Sequence, residues 1–255
     1  MKIALSPCSN DTFLFAGWLT NRIQSQLLLE PDFYDIETLN RYALQESYPL
    51  VKVSAGCFAK VQENYILLHA GFAQSSKGGP KVVSKGKQNI STMIIGTPGE
   101  LSSAHLLFSH FCKNPAKMIS MPYNTIVEAI LSDKIDGGIL IHEERFTFLE
   151  HELIELYDLG ELFTTKFHLP VPLGVFALHK KYAHLQNSIE TCIKESFSWA
   201  QKNRQQAVQF AANVHNQPFD LLEKHIDFFV SEDSPEKIFS GLEAIKILLN
   251  PAFSR

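Results

Sequence analysis

The sequence predicts an α/β protein built as two lobes, the second inserted into the first. Three observations predict it. Short apolar runs alternate with helix-period patterns from the first residues onward, the rhythm of βα units around a mostly parallel sheet. A polar stretch at 84–89 interrupts that rhythm, which then restarts. A late apolar run, Leu173-Gly174-Val175-Phe176-Ala177-Leu178, is placed to carry the chain back to where it began. Lobe 1 is therefore expected from residues 1–88 and 176–255, and lobe 2 from residues 89–175.

The elements follow in order. Lys2-Ile3-Ala4-Leu5 reads as the first strand. Residues 6–11 are a turn rich in capping side chains, and residues 12–19 a helix for which Asn10 and Asp11 are the capping candidates. Residues 37–45 read as a helix, 50–53 as a strand and 54–62 as the next helix. The turn Gly78-Gly79-Pro80 introduces a strand at 81–84. After the polar stretch, Met93-Ile94-Ile95-Gly96 is a strand leading into the turn Thr97-Pro98-Gly99. The helix that follows sets Leu101, Ala104, Leu107, Phe108 and Phe111 on one face, the spacing of a core-facing helix. Residues 117–121 form a strand, and Ile126, Val127, Ile130 and Leu131 mark another helix. Gly137-Gly138-Ile139-Leu140-Ile141 is apolar throughout, as expected of a strand covered on both faces. From about residue 183 the pattern is helical, broken at Asn203 and at 213–218.

Composition narrows the function classes. Of 255 residues, 45% are hydrophobic and 20% charged, which excludes a disordered or collagenous chain. Lys and Arg number 23 against 27 Asp and Glu, so the basic surplus of a nucleic-acid binder is missing. No apolar run approaches the roughly 18 residues of a membrane helix. The opening apolar stretch ends at Leu5, short of the about 7–15 residues a secretory signal needs. Cys8, Cys57, Cys112 and Cys192 are scattered with no Cys-x-x-Cys pair, the pattern of reduced, buried thiols. A cytoplasmic protein is the expectation.

The sharpest local feature is His142, which stands where a buried strand ends and a helix begins. Ligand sites of open α/β sheets are built at such carboxyl ends, here expected in the crevice between lobes. Imidazole there can act as a base near neutral pH, or the residue can simply cap and pack a strand end. A zinc-protease motif is excluded, because the second histidine it needs is Phe146. Other strand ends also carry polar groups: residues 6–11, Lys52-Val53-Ser54, and Thr97 with Ser102-Ser103. Hydroxyls, open helix starts and the Lys52 cation suit a carboxylate or phosphate, although Ser and Asp at helix starts are most often caps. Gly78-Gly79-Pro80 matches no phosphate-loop or dinucleotide fingerprint. Cys8 sits beside a helix start that would favour a thiolate, with no partner base near it in sequence.

Taken together, several motifs resemble the 1,4-dihydroxy-6-naphthoate synthase family of the futalosine route to menaquinone. They are Ser6-Pro7-Cys8-Ser9-Asn10-Asp11-Thr12-Phe13, Lys52-Val53-Ser54, Gly78-Gly79-Pro80-Lys81-Val82-Val83 and Pro98-Gly99-Glu100-Leu101-Ser102-Ser103-Ala104. Asp136-Gly137-Gly138-Ile139-Leu140-Ile141-His142-Glu143 and Leu169-Pro170-Val171-Pro172-Leu173-Gly174 complete the series. They occur in family order over about the first 180 residues, and the first motif and the histidine motif are the most specific. Two departures stand out. Ser9 replaces a usual proline, which would loosen the first loop, and Ser102-Ser103 replaces a common pair of threonines.

The resemblance implies a fold like the type II periplasmic binding proteins, with His142 as proton acceptor. It implies that Lys52, Val53, Ser54, Ser102 and Ser103 line the substrate site, with Asn10 and Asp11 from the first motif beside them. The implied substrate is cyclic dehypoxanthinylfutalosine, cleaved at a carbon–carbon bond to 1,4-dihydroxy-6-naphthoate and a three-carbon fragment. No metal or organic cofactor is implied. Two rival readings remain: chorismate dehydratase of the same pathway, and a solute-binding protein that performs no chemistry.

Overall fold

The computed structural model describes residues 1–112, 114–215, 217–230 and 235–249. Its first part contains β1 (Lys2–Leu5), α1 (Ser9–Leu19), β2 (Glu30–Phe33), α2 (Ile36–Leu44), β3 (Leu50–Ser54), α3 (Ala55–Val61), β4 (Tyr65–Leu67) and β5 (Ala73–Ser75). There follow β6 (Lys81–Ser84), β7 (Ile94–Thr97), α4 (Ser103–Phe111), β8 (Lys117–Ser120), α5 (Ile126–Leu131) and β9 (Gly137–Leu140). Next come α6 (Glu144–Thr147), β10 (Ile154–Asp158), α7 (Leu159–Phe167) and β11 (Val171–His179). The chain closes with α8 (Gln186–Lys202), α9 (Arg204–His215), α10 (Phe219–Phe229) and α11 (Pro235–Leu249). No helix among the described residues is long and apolar enough to cross a membrane.

Two compact units result, Met1–Gln74 with Gly174–Pro235, and Ser75–Leu173 with the residues from Glu236 on. This division corrects the expected boundary at 88/89. Strand β6 pairs antiparallel with β9 and β10, so residues 81–84 belong to the second sheet. The polar stretch at 84–89 is not a link between lobes. Ser84 Oγ accepts from the Gly86 N–H at 3.2 Å and donates to the Lys87 carbonyl at 2.6 Å, which closes a local turn. Composition marks a turn, but it does not say which sheet the preceding strand joins. The C-terminal helices are also shared out differently: α11 buries Ala244, Ile245 and Leu248 in the core of the second unit, not the first. Of the expected 176–255 stretch, 231–234 and 250–255 lie outside the described residues, as does Asn216 in the predicted break at 213–218.

The first sheet runs β2-β1-β3-β11-β4, with β1 parallel to β2 and β3, and β11 antiparallel to β3 and β4. The second runs β10-β6-β9-β7-β8, with β7 parallel to β8 and β9. Both sheets are therefore mixed rather than mostly parallel. Strands β6 and β11 reach their partners from distant points in the chain, and strand direction leaves no trace in apolar periodicity.

Burial explains how the elements hold. Strand β9 is buried at every residue, as its unbroken apolar run requires. Helix α1 is buried from Ser9 to Trp18, on all sides rather than along one stripe, because α8 and α9 pack against it. Its first-turn polar residues are thereby carried into the interior. Ile3, Leu5, Phe15, Leu50, Phe176 and Ile193 fill the first core; Val82, Ile95, Leu107, Phe108, Ile139 and Phe163 fill the second.

Candidate functional site

In the first unit, β1 and β3 end side by side and deliver two charged groups into the protein. Asp11 is fully buried in the first turn of α1, and Lys52 on β3 is 4% exposed. Lys52 Nζ donates to Asp11 Oδ1 at 2.5 Å and lies 4.5 Å from the Phe176 ring centroid. Asp11 Oδ2 accepts from the Ser6 N–H at 3.2 Å. A Cβ on Gly174 would stand 2.7 Å from Lys52 Cε, so the glycine leaves room for the lysine stem. Neither Asn10 nor Asp11 caps α1, contrary to expectation. The helix starts three residues early, the N-cap position is Cys8, and no side chain caps it. Ser9 is thus the first helical residue and buried, not part of a loop. That position accepts proline readily, so the family's usual residue and this one suit the same backbone.

Asn10, Asp11 and Lys52 do come together, around a cavity of about 350 Å³ that Phe72, Lys194 and Phe197 also line. Asn10 Oδ1 is buried there with no hydrogen-bond partner among the described residues. Val53 is buried on β3. Ser54 opens α3, but its Oγ does not cap the helix; it accepts from Asn40 Nδ2 at 3.0 Å, while its N–H donates to Asn40 Oδ1 at 2.8 Å. Asn40 escaped the sequence reading. Its signal was an amide beside Leu39 on the buried face of α2.

In the second unit, Ser102 is the N-cap of α4. Its Oγ accepts from the His105 N–H at 3.1 Å and donates to the Gly99 carbonyl at 2.7 Å. Ser103 Oγ donates to the Leu173 carbonyl at 2.9 Å. Both hydroxyls therefore have structural work, and the capping alternative holds for Ser102. His142 lies two residues past the end of β9, half-buried, with φ of +51°. Left-handed backbone is uncommon for a side-chain-bearing residue and persists only where its surroundings enforce it. The Tyr123 ring meets the imidazole edge-on, with centroids 4.8 Å apart. Tyr123 was also missed, since a short turn between β8 and α5 offers no periodic signal.

Electrostatics sort the remaining candidates. Burial, reinforced by the Asp11 charge, pushes the Cys8 thiol up to about 12. A thiolate is then scarce at neutral pH, which removes Cys8 as a nucleophile. Burial likewise lifts Cys57 and Cys112 to about 12. Glu144, two residues past His142, is raised to about 7, chiefly by burial and further by the Glu143 charge. No cluster of three His, Cys, Asp or Glu among the described residues could hold a metal ion.

Comparison with known proteins gives, among others, five matches. A family model described as menaquinone biosynthesis matches residues 1–253. A 1,4-dihydroxy-6-naphthoate synthase of Thermus thermophilus is 28% identical over 258 residues, covering 100% of this chain and 94% of the relative. The enzyme of that name from Streptomyces coelicolor is 28% identical over 265 residues, covering 99% and 92%. Among solved structures, protein AF1704 of Archaeoglobus fulgidus superimposes with a TM-score of 0.92 at 26% identity, covering 97% of this chain and 95% of that one. The Candida albicans CA3427 product, described as having the generic periplasmic binding protein fold, gives 0.66 at 12% identity, covering 100% and 92%. The fold is periplasmic-binding-protein-like.

Proposed function

The chain belongs to the menaquinone biosynthesis family, and from that premise we propose that it is a 1,4-dihydroxy-6-naphthoate synthase. The substrate is cyclic dehypoxanthinylfutalosine and the products are 1,4-dihydroxy-6-naphthoate and a three-carbon fragment. The observation that carries the reading is the setting of His142, held left-handed two residues past a strand buried at every position. Support also comes from two curated relatives of that name, each similar along nearly the whole chain.

The chemistry asks for little more than a base, donors for developing oxygen charge, and shelter from water. Neutral imidazole on His142 takes the proton, and the electron pair left behind drives cleavage of the carbon–carbon bond. Formation of an aromatic naphthalene ring makes the overall change favourable. Substrate contacts are assigned to Asn10, Asp11, Lys52, Val53, Ser54, Ser102 and Ser103. Lys52 contributes as half of a neutral pair with Asp11, so its substitution changes binding only together with folding.

Incubation of the purified protein with cyclic dehypoxanthinylfutalosine and, separately, with chorismate tests the reading. Mass spectrometry should find 1,4-dihydroxy-6-naphthoate from the first and unchanged chorismate from the second. Dehydration of chorismate would make the chain a chorismate dehydratase instead. Return of both compounds intact would leave a binding protein.

A further inference from the structure

We propose that Arg145 and Asp158 are positioning residues that hold His142 for proton abstraction by locking the segment after β9 to the Gly78-Gly79 turn. The proposal rests on His142 being the base. A left-handed residue at the mouth of a strand is not self-sustaining. The helix that follows, α6, is a single four-residue turn, too short to stabilise itself. Something outside the segment must fix it.

Arg145 supplies that anchor from within α6. It is 3% exposed, donates from Nε to the Gly79 carbonyl at 2.8 Å, and donates from a terminal nitrogen to Asp158 Oδ2 at 3.2 Å. Asp158 completes the knot. Its Oδ1 accepts from the N–H groups of Gly79 at 2.7 Å, Gly160 at 2.9 Å and Glu161 at 3.1 Å. One carboxylate therefore caps α7 and grips the glycine turn at once, while one guanidinium ties that turn to the histidine segment. A planar fork with donors at fixed angles can bridge a carbonyl and a carboxylate in this way, whereas a lysine ammonium lacks the second fixed arm.

The glycines make the knot possible. A Cβ on Gly79 would lie 2.8 Å from Gly160 Cα, and one on Gly160 would lie 2.3 Å from the Gly78 carbonyl carbon and the Gly79 nitrogen. Gly78, at φ +119°, would push a Cβ to 2.6 Å from Asp158 Oδ2. Sheet register delivers the two ends together, since Lys81 pairs with Leu140 and the turn before β6 leaves the sheet beside the segment after β9. Positional precision is what such a lock contributes to catalysis, because a shift of about 1 Å at a reacting group costs on the order of 100-fold in rate.

The test is a double-mutant cycle between Arg145→Lys and His142→Asn, with kcat, KM and the kcat–pH profile measured on cyclic dehypoxanthinylfutalosine. Arg145→Lys should fold, lower kcat by about 10- to 100-fold and leave KM within about twofold. In the His142→Asn background the same change should alter residual turnover by no more than about twofold, since the group it positions is gone. A folded Arg145→Lys with wild-type kcat overturns the proposal. So does an equal rate loss with and without His142. If Arg145→Lys does not fold, Asp158→Asn is put through the same cycle under the same criteria. Near-normal turnover in His142→Asn alone would instead remove the base assignment itself, and the positioning role with it.

Discussion

Among the described residues, an ion pair is buried in each unit, Lys52 with Asp11 and Arg145 with Asp158, and the two are built for different ends. In the first unit, Lys52 and Asp11 form a pair of point charges beside a cavity, and Asp11 takes one further bond from the Ser6 N–H. In the second, Asp158 takes three backbone N–H groups besides Arg145, with Lys81 Nζ a further 3.6 Å away. The first pair depends on its two members. The second is a structural joint in which the charges organise backbone. A buried pair with few other bonds is fragile to loss of one partner, and one embedded in amide donors tolerates it better.

That contrast is open to direct challenge. Lys52→Met should cost roughly 3–5 kcal/mol of folding stability, because it leaves the Asp11 carboxylate buried without its cation. Arg145→Met should cost less, roughly 1–3 kcal/mol, because the amides around Asp158 remain. Urea unfolding of the two variants measures the difference, and equal losses would break the distinction. Combining Lys52→Met with Asp11→Asn should recover most of the first loss, since no uncompensated charge then remains.

A smaller effect comes from Glu144, whose carboxyl is raised from 4.5 to about 7 in the folded chain. The folded protein keeps a proton that the unfolded chain releases, so stability falls as pH rises from about 4.5 to about 7. Glu144→Gln should flatten that slope and leave the variant with the higher Tm at pH 8. A wild-type Tm that rises across this window relative to the variant would contradict the burial assigned to Glu144. The smallest expected signal is from thiols: Cys8, Cys57 and Cys112 should resist iodoacetamide at pH 7.5 in the native protein and react once it is unfolded.

The sequence carried the βα order and the position of His142 because both are local. An apolar run such as residues 137–141 announces a buried strand, and a polar residue at its end announces a candidate site. Strand β2, at Glu30-Pro31-Asp32-Phe33, carries no apolar signal and exists because β1 pairs with it. Strand β10 lies on a sheet edge, where Glu155 and Asp158 break its apolar run. The placement of residues 81–84 in the second sheet was equally hidden, since it depends on pairing with β9 more than fifty positions away. Capping went wrong at α1 for a related reason: packing against α8 and α9, not the identity of Asn10 or Asp11, sets where that helix begins. Arg145 and Asp158 matched no spacing rule, because the glycine turn that joins them comes from another part of the chain.

The central claim is that His142 is the base, and the kcat–pH profile of the wild type beside His142→Asn tests it most directly. Wild-type kcat should rise with pH as the imidazole loses its proton, since it must be neutral to act. The asparagine variant should fold, bind the cyclic substrate, and lose roughly 10²–10⁴-fold in kcat together with that pH dependence. A folded His142→Asn protein that turns over at a near-normal rate with the same profile would contradict the account.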